Sequence, residues 1–393
     1  MFGRKGKVVT GIYGLVTMKI RQMVDSKRIE WADYYKAFAI LLVVIGHATG
    51  RFNGYIYQFH VAAFFFISGY LSQINKKSYD QIIIVKFFNL ILPYIFYGIC
   101  GLSLFAILQR NHLLQYVSSW KSIPAWSENV RNMFRGLYCD WLGATWFLLS
   151  LFAAYILAKI CLVLDKNKAG IVYVIVAFFL YSMGYYYHNT GTNATYLSSF
   201  AHYFVIQFYF SVGHFYRRWE YDLKNKIKII VLSILLVINI FLFLWFRKNG
   251  LAMDLASTTI NTPLVDLLMA GNGICFLICI SKLLELVNIK KIKSVFEYIG
   301  RNTFGILIYH FFGFKLASLI LSAFGVCDWM VISNLCPPPE ISNIWWFIYL
   351  IVAVSFSMLV WFLTSKIGVI RFLSGTDSKR YNQIYKKYED IVR

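Results

Sequence analysis

Ten stretches of this chain are mostly apolar for close to twenty residues at a time, and this pattern constrains the fold more than any other feature. They run over 32–50, 58–74, 81–108, 144–164, 171–187, 200–216, 227–246, 265–286, 303–325 and 344–365. A helix needs about 20 such residues to cross a bilayer. Backbone in hydrocarbon must satisfy its own hydrogen bonds, so stretches of this length and composition are expected to be helical. The expected fold class is therefore all-α: a polytopic membrane bundle of about ten transmembrane helices. A basic N-terminal segment over 1–31 would precede the bundle at 32–365, and a basic tail over 366–393, read as an interfacial helix, would follow it. The first stretch is not read as a cleaved signal peptide, because Asp33 and Lys36 interrupt it and no small-residue cleavage site follows.

Composition and charge fit the same class. Of 393 residues, 59% are hydrophobic and 15% charged, and the mean hydropathy is +0.59, which excludes a disordered chain. A net charge of +21 on a soluble protein would point to nucleic acid. Here topology explains it, and no nucleic-acid partner is expected. With the N-terminus placed in the cytoplasm, 27 of the 39 Lys and Arg fall in inner segments and 7 in outer ones. That bias, repeated at every inner loop, agrees with both termini being cytoplasmic. The inner basic segments can also rest on anionic lipid headgroups. The seven cysteines show no CxxC and no metal-type spacing, so no metal is expected. Cys327 and Cys336 share one expected outer loop and could pair.

Ionisable groups inside spans are costly, so they tend to face the bundle interior and mark function. The first span holds the densest set, with Asp33, Lys36 and His47 in WADYYKAFAILLVVIGHA. Lys36 and His47 are 11 residues apart. At about 100° and 1.5 Å per residue they share one helix face roughly 16 Å apart. Asp33 and Lys36, at i and i+3, can pair at the inner end of that face. Taken singly, Lys36 could snorkel to the headgroups and His47 could cap the outer end. In the second span, FHVAAFFFISGYL places His60 at a depth comparable to His47 in an antiparallel hairpin. Its Ser68-Gly69 is a small pair that lets helix backbones approach closely. KFFNLILPY sets Lys86 near the start of the third span and Pro93 inside it, implying a kink. GATWFLLSLF puts Trp146 at an outer edge, where an aromatic-belt role is the default. IGRNTFGILIYHFF gives Arg301 at an inner entrance and Tyr309-His310 about two turns deeper.

Together these motifs resemble the integral-membrane acyltransferase-3 family. The resemblance rests on KAFAILLVVIGHA followed by FHVAAFFFISGYL, then WFLLSLF and IGRNTFGILIYH, and runs from about residue 28 to 365. Members of this family transfer an acyl group, usually acetyl from acetyl-CoA, to a hydroxyl of a cell-surface sugar. The resemblance implies that the essential basic-x10-His pair falls on Lys36 and His47. It likewise places the second-span His and Ser-Gly on His60 and Ser68-Gly69, the third-span basic residue on Lys86, and the late histidine on His310. Lys36 stands where Arg is commoner, and Asn89 stands where a second basic residue is usual. Larger relatives append a soluble esterase-like domain, which is not expected here.

The expectation is thus an O-acetyltransferase of the plasma or inner membrane, with acetyl-CoA as acyl donor and a glycan or lipid-linked sugar as acceptor. Lys36, Lys86 and Arg301 would attract the CoA phosphates, with Asp33 holding Lys36 charged and in place. His47 would act as general base or acyl carrier. His60, Tyr309 and His310 would orient it or donate to the developing oxyanion. The alternatives are a secondary transporter and an export or scaffold subunit of a polysaccharide assembly system. No repeat relates the two halves of the chain, and the ionisable groups cluster in the first three spans and the ninth.

Overall fold

The computed structural model describes residues 28–118, 126–134, 143–164, 170–189, 201–220, 225–251 and 262–392. The N-terminal segment expected over 1–31 lies outside the described residues except at its end. Among those described there is no β-strand, and each of the ten apolar stretches contains a helix. These are α1 (Glu30–Ala48), α2 (His60–Tyr70), α3 (Tyr79–Arg110), α4 (Gly143–Leu164), α5 (Ile171–Asn189), α6 (Ala201–Trp219), α7 (Asn225–Lys248), α8 (Pro263–Leu286), α10 (Thr303–Ala323) and α11 (Pro339–Ser365). An amphipathic helix, α9 (Lys290–Arg301), precedes α10, and α12 (Ser378–Val392) lies in the tail.

Six of these helices, α3, α4, α7, α8, α10 and α11, are long and apolar enough to cross a membrane. A seventh crossing is reached if α1 and the short helical turns over Gly50–Ile56, bent 117° from it, form one broken span. The other stretches marked in the sequence are shorter or more polar over the described residues. α2 has only 11 residues, and polar side chains interrupt α6. α2 and α6 pack closely against each other. A Cβ on Gly69 would lie 2.0 Å from the Phe210 carbonyl oxygen, and one on Gly213 would lie 1.9 Å from that of Phe66. Two glycines facing opposite backbones give the close crossing that small residues permit in membrane bundles.

Pro93 acts through its missing N–H. The turn preceding it, Phe87–Ile91, widens to π-helical geometry, and the chain continues to Arg110. The tail then folds back onto the start of this helix. Tyr381, fully buried, stacks on Phe88 at 5.2 Å, and the Tyr385 hydroxyl lies 3.1 Å from that of Ser78. Cys327 and Cys336 are not joined by a disulfide.

α1 runs through the middle of the bundle. On one side Trp31, Ala32, Tyr35 and Ala39 join the larger apolar core built from α2 to α8. On the other, Ile40, Val43, Val44 and Ala48 pack against α10 and α11 through Ile306, Phe314 and Tyr349. The helix carrying both Lys36 and His47 is therefore held on two sides. Its polar groups have only the gap between the two cores to occupy.

Candidate active site

That gap is a cavity of about 230 Å³. Lys36 and His47 both line it from α1, joined by His60 and Ser68 from α2, Trp146 from α4, and Thr303 and Phe304 from α10. The 11-residue spacing on one continuous helix therefore does bring an ammonium group and an imidazole to the same space. Most of the remaining wall is aliphatic or aromatic, including Val43, Phe64, Phe147 and Leu151. A few convergent polar groups in an apolar cavity is the usual form of a small-molecule site.

At one end, Asp33 is buried and holds Lys36, with Nζ 2.8 Å from Oδ1. Arg28 pairs with the same carboxylate through Oδ2. The backbone of α9 meets this end of α1 directly, since a Cβ on Gly300 would lie 2.0 Å from the Asp33 carbonyl oxygen. Asp33 thus carries two cations, while Glu30 and Glu297 reach the neighbouring Tyr34 hydroxyl.

At the other end, the hydrogen bonds fix the histidine tautomers. His310 Nδ1 lies 2.9 Å from the Ile306 carbonyl oxygen and 3.0 Å from that of Leu307. Carbonyls only accept, so His310 carries its hydrogen on Nδ1, and in the neutral ring its Nε2 is an acceptor. That Nε2 lies 3.1 Å from His47 Nδ1, so His47 donates there and carries its own lone pair on Nε2. Phe311 stacks on the His47 ring at 5.0 Å and 15°, limiting its rotation. The result is a neutral, oriented imidazole whose Nε2 can take a proton or attack an electrophile. His60 is buried, with Nδ1 3.2 Å from the Ile56 carbonyl oxygen. Its Nε2 in the neutral ring is likewise an acceptor.

The family model described as "Acyltransferase domain", that of the acyltransferase-3 family, matches residues 29–362. The chain belongs to this family. Comparison with curated proteins and with solved structures gave no match. The matched residues take in every helix that contributes to the cavity, so in this acyltransferase the Lys36–His47 helix and the His310 helix fall within the family's own domain.

Other residues singled out in the sequence lie apart from the cavity. Gly69 is a packing contact under α6, while its neighbour Ser68 faces the cavity. Lys86 places its Nζ 3.7 Å from the centre of the Tyr155 ring, and Leu90, one turn on, reaches the cavity wall. Arg301 ends α9 with an exposed guanidinium 2.8 Å from Glu297. Tyr309 points away from His47: its hydroxyl is 3.4 Å from that of Tyr97, and it lines a second cavity beyond Phe311. An orienting role toward His47 thus falls to His310, with Tyr309 on the far side of the wall.

Three contributors escaped the sequence reading. Tyr57 packs edge-on to His47 at 6.3 Å and lies 4.9 Å from His60, and its hydroxyl donates to the Gly46 carbonyl. Phe311 supplies the stacking wall, and Arg28 the second cation on Asp33. Only Tyr57 carried a signal, at three residues before His60 in FNGYIYQFH. No cluster of three or more His, Cys, Asp or Glu suited to a metal ion occurs among the described residues.

Proposed function

We propose that this acyltransferase moves an acetyl group from cytosolic acetyl-CoA to a hydroxyl of a cell-surface or lipid-linked glycan, in the plasma or inner membrane. The observation that carries this reading is that Lys36 and His47 line one cavity from opposite ends. Along α1 the two are separated by a rise of about 16 Å, comparable to the reach of an extended pantetheine arm. CoA phosphates are drawn to the Lys36 end, with Arg301 on the adjoining α9 and Lys86 at the start of α3 adding to the positive field. The thioester then lies near His47.

His47 Nε2 takes the proton of the acceptor hydroxyl as its oxygen bonds to the thioester carbonyl carbon. The carbon–sulfur bond breaks, and the leaving thiolate regains that proton from the imidazolium. His310 steadies the charged ring only while its Nε2 stays unprotonated, which the Ile306 and Leu307 carbonyls enforce. His60 and Ser68, across the cavity, are placed to hold the sugar by accepting from its hydroxyls. Trp146 closes the wall beside them.

The test is CoA release from acetyl-CoA by purified protein in the presence of a glycan acceptor, together with the O-acetyl signals of the surface glycan by NMR. His47→Ala should abolish both while the protein inserts and accumulates normally. Unchanged acetyl content in that variant would overturn the reading.

A further inference from the structure

On the face of α1 opposite the cavity, a groove of about 480 Å³ runs between the His47 end of the helix and α7–α8. Its walls are entirely apolar and mainly aromatic: Phe52, Tyr55, Phe59, Phe243, Phe276 and Trp346. Phe59 packs on Phe243 at 5.5 Å, Phe243 on Phe276 at 5.6 Å, and Phe52 meets Trp346 edge-on at 5.4 Å, so the walls are mutually supported. The outer flank, Ile240 and Leu244 on α7, is exposed. A chain lying in the surrounding hydrocarbon can therefore enter from the side.

Charge sits at the Phe52–Tyr55 end of this groove. The Arg51 guanidinium lies 5.9 Å from the centre of the Phe52 ring, and that of Arg247 lies 5.6 Å from the centre of the Tyr55 ring. Gly54, between those two aromatics, is where Arg247 passes: a Cβ there would lie 2.1 Å from its Nη1. Both arginines are exposed, and neither has a carboxylate partner among the described residues. Two exposed guanidiniums with no carboxylate partner among the described residues, each near an aromatic side chain that lines the groove, complement an anionic headgroup joined to a hydrocarbon tail.

The position of the groove indicates which lipid. Residues 49–59 form both its rim and the connection from His47 to His60, and Tyr57 on the same turn packs against both imidazoles. A headgroup held by Arg51 sits four residues from His47 in the chain. We propose that the groove binds the carrier of the acceptor, a phosphate-linked glycolipid, with its chain along the aromatic wall and its phosphate between Arg51 and Arg247. This rests on the reading of a lipid-linked acceptor given above. It adds an anchoring site separate from the donor cavity, so that donor and acceptor approach His47 from opposite sides of α1.

Lipid retention tests the proposal without any acyl donor, so its outcome is independent of whether transfer occurs. The protein is reconstituted in phosphatidylcholine nanodiscs doped with either a long-chain polyprenyl phosphate or phosphatidylglycerol, and bound lipid is measured by native mass spectrometry after transfer to detergent. Wild type should retain polyprenyl phosphate over phosphatidylglycerol. The R51A/R247A variant should lose about tenfold in retention, and R51K/R247K should keep part of it. Ile240→Trp, which fills the groove from its exposed flank and leaves both arginines in place, should also lose retention. Thermal unfolding and gel-filtration profiles matching wild type identify the variants that are folded. Equal retention of the two lipids, or undiminished retention by folded R51A/R247A, would overturn the proposal.

Discussion

Two cavities of similar size, about 230 and 260 Å³, meet at α10: His47 lines the first, and Phe311, stacked on the His47 ring, lines the second. They share the helix α10 and the turn that begins α4, yet their polar groups differ in kind. On the His47 side, Lys36, His47, His60 and Ser68 face the space, and the His47 ring has one nitrogen already committed to His310 and the other without a hydrogen-bond partner among the described residues. On the far side, the Tyr97 and Tyr309 hydroxyls meet each other. There Lys315 already donates to the carbonyls of Val117, Ile332 and Asn334. A cationic residue whose hydrogens are all engaged by backbone is a strut. A cationic residue with one carboxylate on one flank and open space on the other can still bind. The presence of Lys and Tyr in an apolar cavity therefore says little until their remaining valences are counted.

Variants can break this contrast in order of expected size. His47→Ala removes the imidazole oriented by His310 and should lower acceptor-dependent CoA release by about a thousandfold or more. His310→Ala leaves His47 in place but frees its tautomer and ring. A fall of about ten- to a hundredfold is expected, in kcat more than in KM, with His310→Gln recovering part through its amide oxygen. Lys36→Ala should act mainly on donor binding, raising KM for acetyl-CoA about tenfold, and Lys36→Arg should restore much of it. Tyr309→Phe, on the other side of Phe311, should change kcat/KM by no more than about threefold. A loss there as large as that of His310→Ala would erase the distinction between the two cavities.

The helices were legible because a bilayer imposes one length and one composition on whatever crosses it. Ten such stretches can be marked in the sequence, and six of the helices over the described residues have the length and hydropathy of a crossing. α2 and α6 are apolar enough to mark, and Gly69 and Gly213 set them against each other. The Lys36–His47 pairing was legible because it is local, resting on a single helix and its rotation per residue. The His47–His310 bond links residues 263 positions apart, and no periodicity reports that. The same limit explains Tyr309. It is adjacent to His310 in sequence, but the helix turns about 100° between them, which is enough to place one against His47 and the other beyond the wall. Tyr57 lies in what hydropathy marks as a connecting loop; its spacing from His60 hints at one ring contact, and the second, with His47, comes from the fold.

A structure of the protein with a non-hydrolysable acetyl-CoA analogue would test the shared Lys36–His47 cavity directly. Density for the phosphates should lie at the Lys36 end, and the pantetheine arm should run along α1 to the acyl carbonyl beside His47 Nε2. Density on the Tyr97–Tyr309 side of Phe311, or an acyl group remote from His47, would contradict the assignment.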